Sequence, residues 1–130
     1  MVGEEIPARV VRFLETCIDS IEQLRVLLLL HSCPSREWTV TEMTAELRSS
    51  EASIAKRLDD LYQRKVLDRP VDPAARHRFN PITTELRDVI AELAHENEVR
   101  PYRLIDAIYS KPDKGLQEFA DAFKIRGDNT

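Results

Sequence analysis

Apolar residues recur at helical spacing along most of this chain. Between Pro7 and Ile18 the residues Val10, Phe13, Leu14, Cys17 and Ile18 fall three or four apart and mark one face of a helix. Ser20, with Gln23 three residues on, has capping-box spacing ahead of a second helix through Leu24, Leu27 and Leu28 that Pro34 must end. Leu27 to Leu30 is apolar nearly all round, which predicts that this second helix is the central, buried one. Thr39 or Thr41 can cap a third helix with Val40, Met43 and Leu47 on its inner face, and Ser50 a fourth lined by Ile54, Leu58 and Leu61.

Two short capped helices joined by a three-residue break form a helix-turn-helix. After them, Val66-Leu67-Asp68-Arg69 and Arg76-His77-Arg78-Phe79-Asn80 read as two strands around a proline-marked turn, a hairpin in the position of a wing. Asn80-Pro81 or Thr83 then begins a long helix striped with Leu86, Ile90, Leu93, Leu104, Ile105 and Ile108, which Pro101 should kink or interrupt. A last helix with Leu116, Phe119, Ala120 and Phe123 is predicted before Gly127. The expected fold is therefore mainly α with a small β-hairpin wing. A single domain is expected, with a core over 20–80 and flanking helices over 7–18 and 81–125.

Composition narrows the function. The chain has 130 residues, and 19 basic residues against 23 acidic ones give a net charge of -4, so any nucleic-acid contact must come from a local patch. From Arg48 to Arg78 eight basic residues face five acidic ones, a local +3 that leaves -7 on the remainder. Three glycines, at 3, 115 and 127, cannot build a phosphate-cradling loop or a dinucleotide fingerprint. Two cysteines are too few for a disulfide framework, and the longest apolar run, Val26–Leu30, is far short of a membrane span. Leu30-His31-Ser32-Cys33 follows too acidic a segment to be a lipoprotein cleavage site, so a cytoplasmic protein is expected. No catalytic constellation stands out, and an enzyme is not expected.

The stretch from Ser20 to Asn80 resembles winged helix-turn-helix transcription regulators, most of all the multiple-antibiotic-resistance-repressor (MarR) type. The likeness is carried by Trp38-Thr39-Val40-Thr41-Glu42-Met43-Thr44-Ala45-Glu46-Leu47, by Ser50-Glu51-Ala52-Ser53-Ile54-Ala55-Lys56-Arg57-Leu58-Asp59-Asp60-Leu61, and by Val66-Leu67-Asp68-Arg69. Arg48 and Lys65 stand where such proteins often place glycine, and Ser49 where an apolar residue is common. Either Arg48 and Lys65 adopt left-handed conformations, at a cost on the order of 1 kcal/mol each, or the turns depart from the usual geometry. The wing keeps only Asp72, Arg76 and Arg78 of an arginine-rich pattern.

The resemblance implies a regulator that binds double-stranded DNA as a homodimer, with the helix near 50–64 in the major groove and the wing near 69–78 on the backbone. With Ile54, Leu58 and Leu61 inward, Ser49, Ala52, Ser53, Lys56 and Asp60 should face outward and Arg57 lie at the edge. Lys56, Ser53 and Arg57 have the donors that read base edges or clamp phosphate. Thr39, Thr41, Ser49 and Ser50 around the turn, and Arg76, His77 and Arg78 on the wing, complete the expected DNA contacts. Surplus apolar faces, namely Val10, Phe13 and Leu14 before the core and Leu104, Ile108, Leu116, Phe119 and Phe123 after it, are expected to form the dimer. Cys17, His31 and Cys33 invite comparison with the metal sensors among winged-helix repressors. Their spacing fits no compact zinc signature, and neither metal nor cofactor is expected. The alternative is a winged-helix module that binds another protein through its flanking helices and never touches DNA.

Overall fold

The computed structural model describes residues 6–72 and 74–110; the helix predicted around Leu116 to Phe123 lies outside them. Six helices form among the described residues: α1 (Ala8–Cys17), α2 (Ile21–Ser32), α3 (Val40–Leu47), α4 (Glu51–Gln63), α5 (Thr84–Val99) and α6 (Pro101–Ser110). Four begin on a hydroxyl that accepts a backbone N–H from the first turn of the helix: Ser20, Thr39, Ser50 and Thr83. Of the alternatives left open by the sequence, Thr39 rather than Thr41 caps α3, and Thr83 starts α5. The expected long C-terminal helix is broken where proline demands it, α5 ending at Val99 and α6 opening on Pro101.

Helix α2 is central. Val26, Leu27 and Leu30 are fully buried, and the helix packs against α3, α4 and α5. A second group, α1, α5 and α6, packs on itself, and the apolar side chains of both groups meet in one continuous core. Arg9 of α1 closes the outer edge of this second group with a two-pronged contact to Glu92 of α5, at 2.7 and 3.2 Å. Val10, Phe13, Leu14, Leu104 and Ile108, expected at a dimer interface, are buried within the one chain. What α6 leaves exposed instead is the stripe Tyr102, Ile105 and Tyr109, with Val99 just before it.

Both turn positions that carry a bulky residue in place of glycine are left-handed, Arg48 at φ 53° and Lys65 at φ 71°. Each serves a six-to-one helix ending: Ser49 N–H donates to the Thr44 carbonyl at 3.1 Å, and Val66 N–H to the Leu61 carbonyl at 3.0 Å. The turn between α3 and α4 thus keeps its usual geometry at the expense of local strain.

The expected hairpin differs. Residues 66–69 and 76–80 form no ladder, and the β pairing among the described residues is one antiparallel bridge from His77 to Trp38, with both N–H to O distances 2.7 Å. Between the two predicted strands, Asn80 N–H donates to the Val66 carbonyl at 3.0 Å and Asn80 Nδ2 to the Asp68 carboxylate at 3.0 Å. Pro70, directly after the first predicted strand, brings no N–H to a ladder, which favours a loop.

One buried amide fixes the approach to α2. Ser20 caps it as the capping-box spacing implies, but Gln23 does not reach back to Ser20; its Oε1 accepts from the Asp19 N–H at 2.7 Å and its Nε2 donates to the Cys17 carbonyl at 2.8 Å. Gln23 has no solvent exposure. Gln23→Leu removes both partners from this backbone and is expected to destabilise the protein by about 2–3 kcal/mol. In urea unfolding the midpoint should fall while the slope stays constant.

Candidate nucleic-acid interface

The helix-turn-helix positions its polar groups through the packing of α4 on α2 and α3. Ile54, Leu58 and Leu61 bury one side of α4, as their spacing requires, and leave Ala52, Lys56, Asp59 and Gln63 on the opposite, exposed stripe. Lys56 is exposed and carries no ion pair among the described residues. Asp59, not Asp60, shares the open face with it; Asp60 is half-buried and lies 3.9 Å from Arg57.

Ser49, Ser53 and Arg57, expected to point at DNA, turn toward α2 instead. All three meet the carboxylate of Glu22: the Ser49 hydroxyl donates to Oε2, the Ser53 hydroxyl to Oε1, and Arg57 Nε to Oε1 at 3.1 Å. The reason is geometric: Ser53 and Arg57, four apart, share the edge of α4 that abuts the start of α2, and Ser49, in the turn just before the helix, reaches the same carboxylate. Hydrogen bonds from Ser49 first, then Ser53 and Arg57, hold the Glu22 carboxyl below the usual carboxylate range and outweigh its partial burial.

The remaining expected contacts divide. Thr39 spends its hydroxyl oxygen on the α3 cap, in a reciprocal box with Glu42: the Glu42 N–H donates to it at 3.1 Å, and the Glu42 carboxylate accepts the Thr39 N–H at 2.9 Å. Thr41 is exposed and donates to Glu51, tying α3 to the first turn of α4. Ser50 is exposed, but its oxygen accepts the Ser53 N–H at 3.2 Å. On the loop, Arg76 reaches Glu42 at 3.2 Å, and Glu42 itself is held below its ordinary pKa mainly by the Thr39 N–H, with Arg76 and Arg36 adding to it. His77 is not on the surface at all. It is buried beside the bridge to Trp38, with Nε2 3.4 Å from the Asp72 backbone N–H, so its expected place among the DNA contacts is corrected. Arg78 is exposed, with no ion pair among the described residues. Of the ten expected contact residues, Lys56 and Arg78 are thus the long side chains presented outward without a partner there.

The sequence alone does not single out Glu22, which stands in it only as an acid unsuited to a signal peptide. The available signal is the four-residue spacing of Ser49, Ser53 and Arg57, which calls for a shared acceptor; the acceptor lies 27 to 35 residues away and has no local signature. Cys17 is half-buried and Cys33 exposed, and no three metal-ligating residues stand together among the described residues. No helix among them is long and apolar enough to cross a membrane.

No protein-family model and no curated protein matches the chain. Among solved structures it is similar to a single-substitution mutant of MepR from S. aureus, determined bound to an oligodeoxyribonucleotide. The two share 16% identity at a TM-score of 0.52, covering 100% of this chain and 94% of that one. At this identity the likeness is one of fold alone.

The Glu22 cluster makes a stability prediction with a definite sign. A carboxyl whose folded pKa lies below its unfolded value stabilises the fold above the unfolded pKa, and that contribution is lost as pH falls through the folded pKa. Glu22→Gln should therefore unfold more easily than the wild type at neutral pH, by about 1 kcal/mol. The gap should begin to close as pH falls below the ordinary glutamate range, about 4.5, and go on closing as the Glu22 carboxyl of the folded protein takes up its proton, as read by urea unfolding at falling pH.

Proposed function

We propose that this chain is a transcription regulator that binds duplex DNA as a homodimer, laying the open face of α4 in the major groove. The observation that carries this reading is the free stripe of α4. It begins with the small residue Ala52, continues with the exposed Lys56, and stands on a capped helix-turn-helix whose fold matches a chain solved with an oligodeoxyribonucleotide. Small residues at the leading end let a helix approach base edges, and a lysine one turn later donates to guanine acceptors. Arg78, on the loop that takes the place of a wing, meets the phosphate backbone beside it. The exposed stripe Val99, Tyr102, Ile105 and Tyr109 meets its counterpart on a second copy, and the two-fold axis sets the recognition helices about 34 Å apart.

A second reading is favoured by one observation: Arg57 and Arg76 are already paired with carboxylates, and Asp59 shares the open face of α4. Under that reading the fold is a protein-interaction module, with α6 as its contact face and no affinity for DNA.

Mobility shifts against genomic fragments at two salt concentrations separate the two. Under the proposed function, affinity falls roughly a thousandfold or more between about 50 and 200 mM salt. Lys56→Ala weakens the preferred site by about 1–3 kcal/mol and random DNA much less, whereas Arg78→Ala weakens all sequences alike and flattens the salt dependence by about one phosphate. No shift by the wild type at the lower salt establishes the interaction module instead.

The dimer has its own test. Tyr109→Glu places a charge in the exposed α6 stripe and should yield a monomer by light scattering at micromolar concentration, while the wild type runs as a dimer. A monomeric wild type overturns the homodimer.

A further inference from the structure

The convergence of Ser49, Ser53 and Arg57 on Glu22 bears on how tightly such a protein holds DNA, and its consequence for affinity rests on the proposed DNA-binding function. These three donors sit on the turn and on the first two turns of α4, the end of a recognition helix that lies nearest the duplex. A phosphate or a base acceptor offers them oxygen lone pairs, and both carboxylate oxygens of Glu22 already accept from them. Nucleic acid must displace Glu22 to gain these donors. Once displaced, the carboxylate is left as a bare negative charge against the polyanion.

We propose that Glu22 is an internal competitor for nucleic acid, a carboxylate that occupies the DNA-seeking groups of the recognition helix and lowers affinity for every duplex. Its effect is on discrimination as well as strength. Random DNA, which offers little beyond phosphate, does not displace Glu22, whereas a site whose base edges add contacts to Lys56 does. The residue is held where it competes by its place at the second position of α2, just behind the Ser20 cap and next to the buried Gln23. Its own contacts stabilise the fold, so a substitution there should move stability and DNA affinity in opposite directions. A residue that merely positioned α4 would move both the same way.

The test is Glu22→Gln in the full-length chain, measured by fluorescence anisotropy on a random duplex and on the best genomic fragment, beside thermal unfolding. The expected outcome is a lower melting temperature with binding about three- to tenfold tighter near 50 mM salt, and a salt dependence steeper by about one phosphate. The gain should be larger on the preferred fragment, which has to displace Glu22 in the wild type, than on the random duplex, which does not. In an Arg57→Ala background the same substitution should gain less than in the wild type, because one of the three donors that Glu22 occupies is gone. If Glu22→Gln fails to fold, Glu22→Asp serves: it keeps the charge but shortens the reach to Arg57, and tighter binding than wild type is again required. A wild type that binds while the Glu22 variant binds equally or more weakly overturns the competitor and leaves the DNA-binding reading standing. Absence of binding by both proteins near 50 mM salt overturns that reading and the competitor with it.

Discussion

The burial of α2 is the constraint on which the rest of the molecule depends. A helix that is apolar on nearly every face must be surrounded, and α3, α4 and α5 supply the cover. Full burial of Val26, Leu27 and Leu30 draws α4 in close along its length, so the edge of α4 nearest α2 has no room for solvated side chains. At the polar first turn of α2 that edge still carries Ser53 and Arg57, with Ser49 in the turn just before it. These three side chains are half-buried, where a donor without an acceptor loses part of its hydration for nothing in return, and Glu22 is the acceptor within reach. The capture of these three side chains thus follows from the hydrophobic packing below them. The same packing turns the opposite stripe of α4, from Ala52 to Gln63, outward to solvent.

This arrangement alters the electrostatics that a count of charges suggests. Between Arg48 and Arg78 the excess of basic residues is real, but Arg57, Arg69 and Arg76 each lie within 4 Å of a carboxylate. An ion pair presents almost no net field beyond a Debye length, about 8–10 Å at ordinary salt. The cations of this stretch that remain exposed, with no ion pair among the described residues, are Arg48, Lys56, Arg64, Lys65 and Arg78. Arg64 and Lys65 sit at the C-terminal end of α4, where positive charge offsets the helix dipole, far from the end that would enter a groove. The field available to steer a duplex is therefore narrower than the local +3, and it centres on the turn, on Lys56 and on Arg78. The acidic remainder of the chain confines it further.

The helices are legible in the sequence because each is set by local rules. Hydroxyl caps at Ser20, Thr39, Ser50 and Thr83, the break at Pro101 and the left-handed turns at Arg48 and Lys65 are all fixed by residues within a few positions. The buried stripe of α4 is legible too, being a matter of spacing. What escapes is everything decided by a partner far along the chain. Helical projection alone places Ser53 and Asp60 outward with Arg57 at the edge; a small rotation of α4 onto α2 moves all three inward and brings Asp59 out. Likewise the apolar faces of α1 and α6 look surplus in a sequence that does not tell that α1 folds back on α5 and α6. The burial of His77 escapes for the same reason, since it depends on Trp38, which precedes the whole helix-turn-helix.

The loop after α4 shows how a side chain can be presented without a strand ladder to hold it. His77 and Phe79 are buried, and Arg76 and Arg78 before and between them are exposed, so the two-residue alternation of a strand survives although the hairpin does not form. Phe79 is packed at its ring by His31, edge-on at 5.3 Å between centroids, with the Arg87 guanidinium 5.6 Å from the ring centroid. His77 is anchored through the backbone of Trp38, itself covered by the Arg36 guanidinium at 3.5 Å. With its neighbours fixed on both sides, Arg78 has no inward option and must face solvent. Arg76 shares that outward face and differs only in what lies beside it, the Glu42 carboxylate that also closes the cap of α3. The difference between a free arginine and an occupied one, two residues apart on the same face, is therefore set by the capping of another helix, and not by exposure.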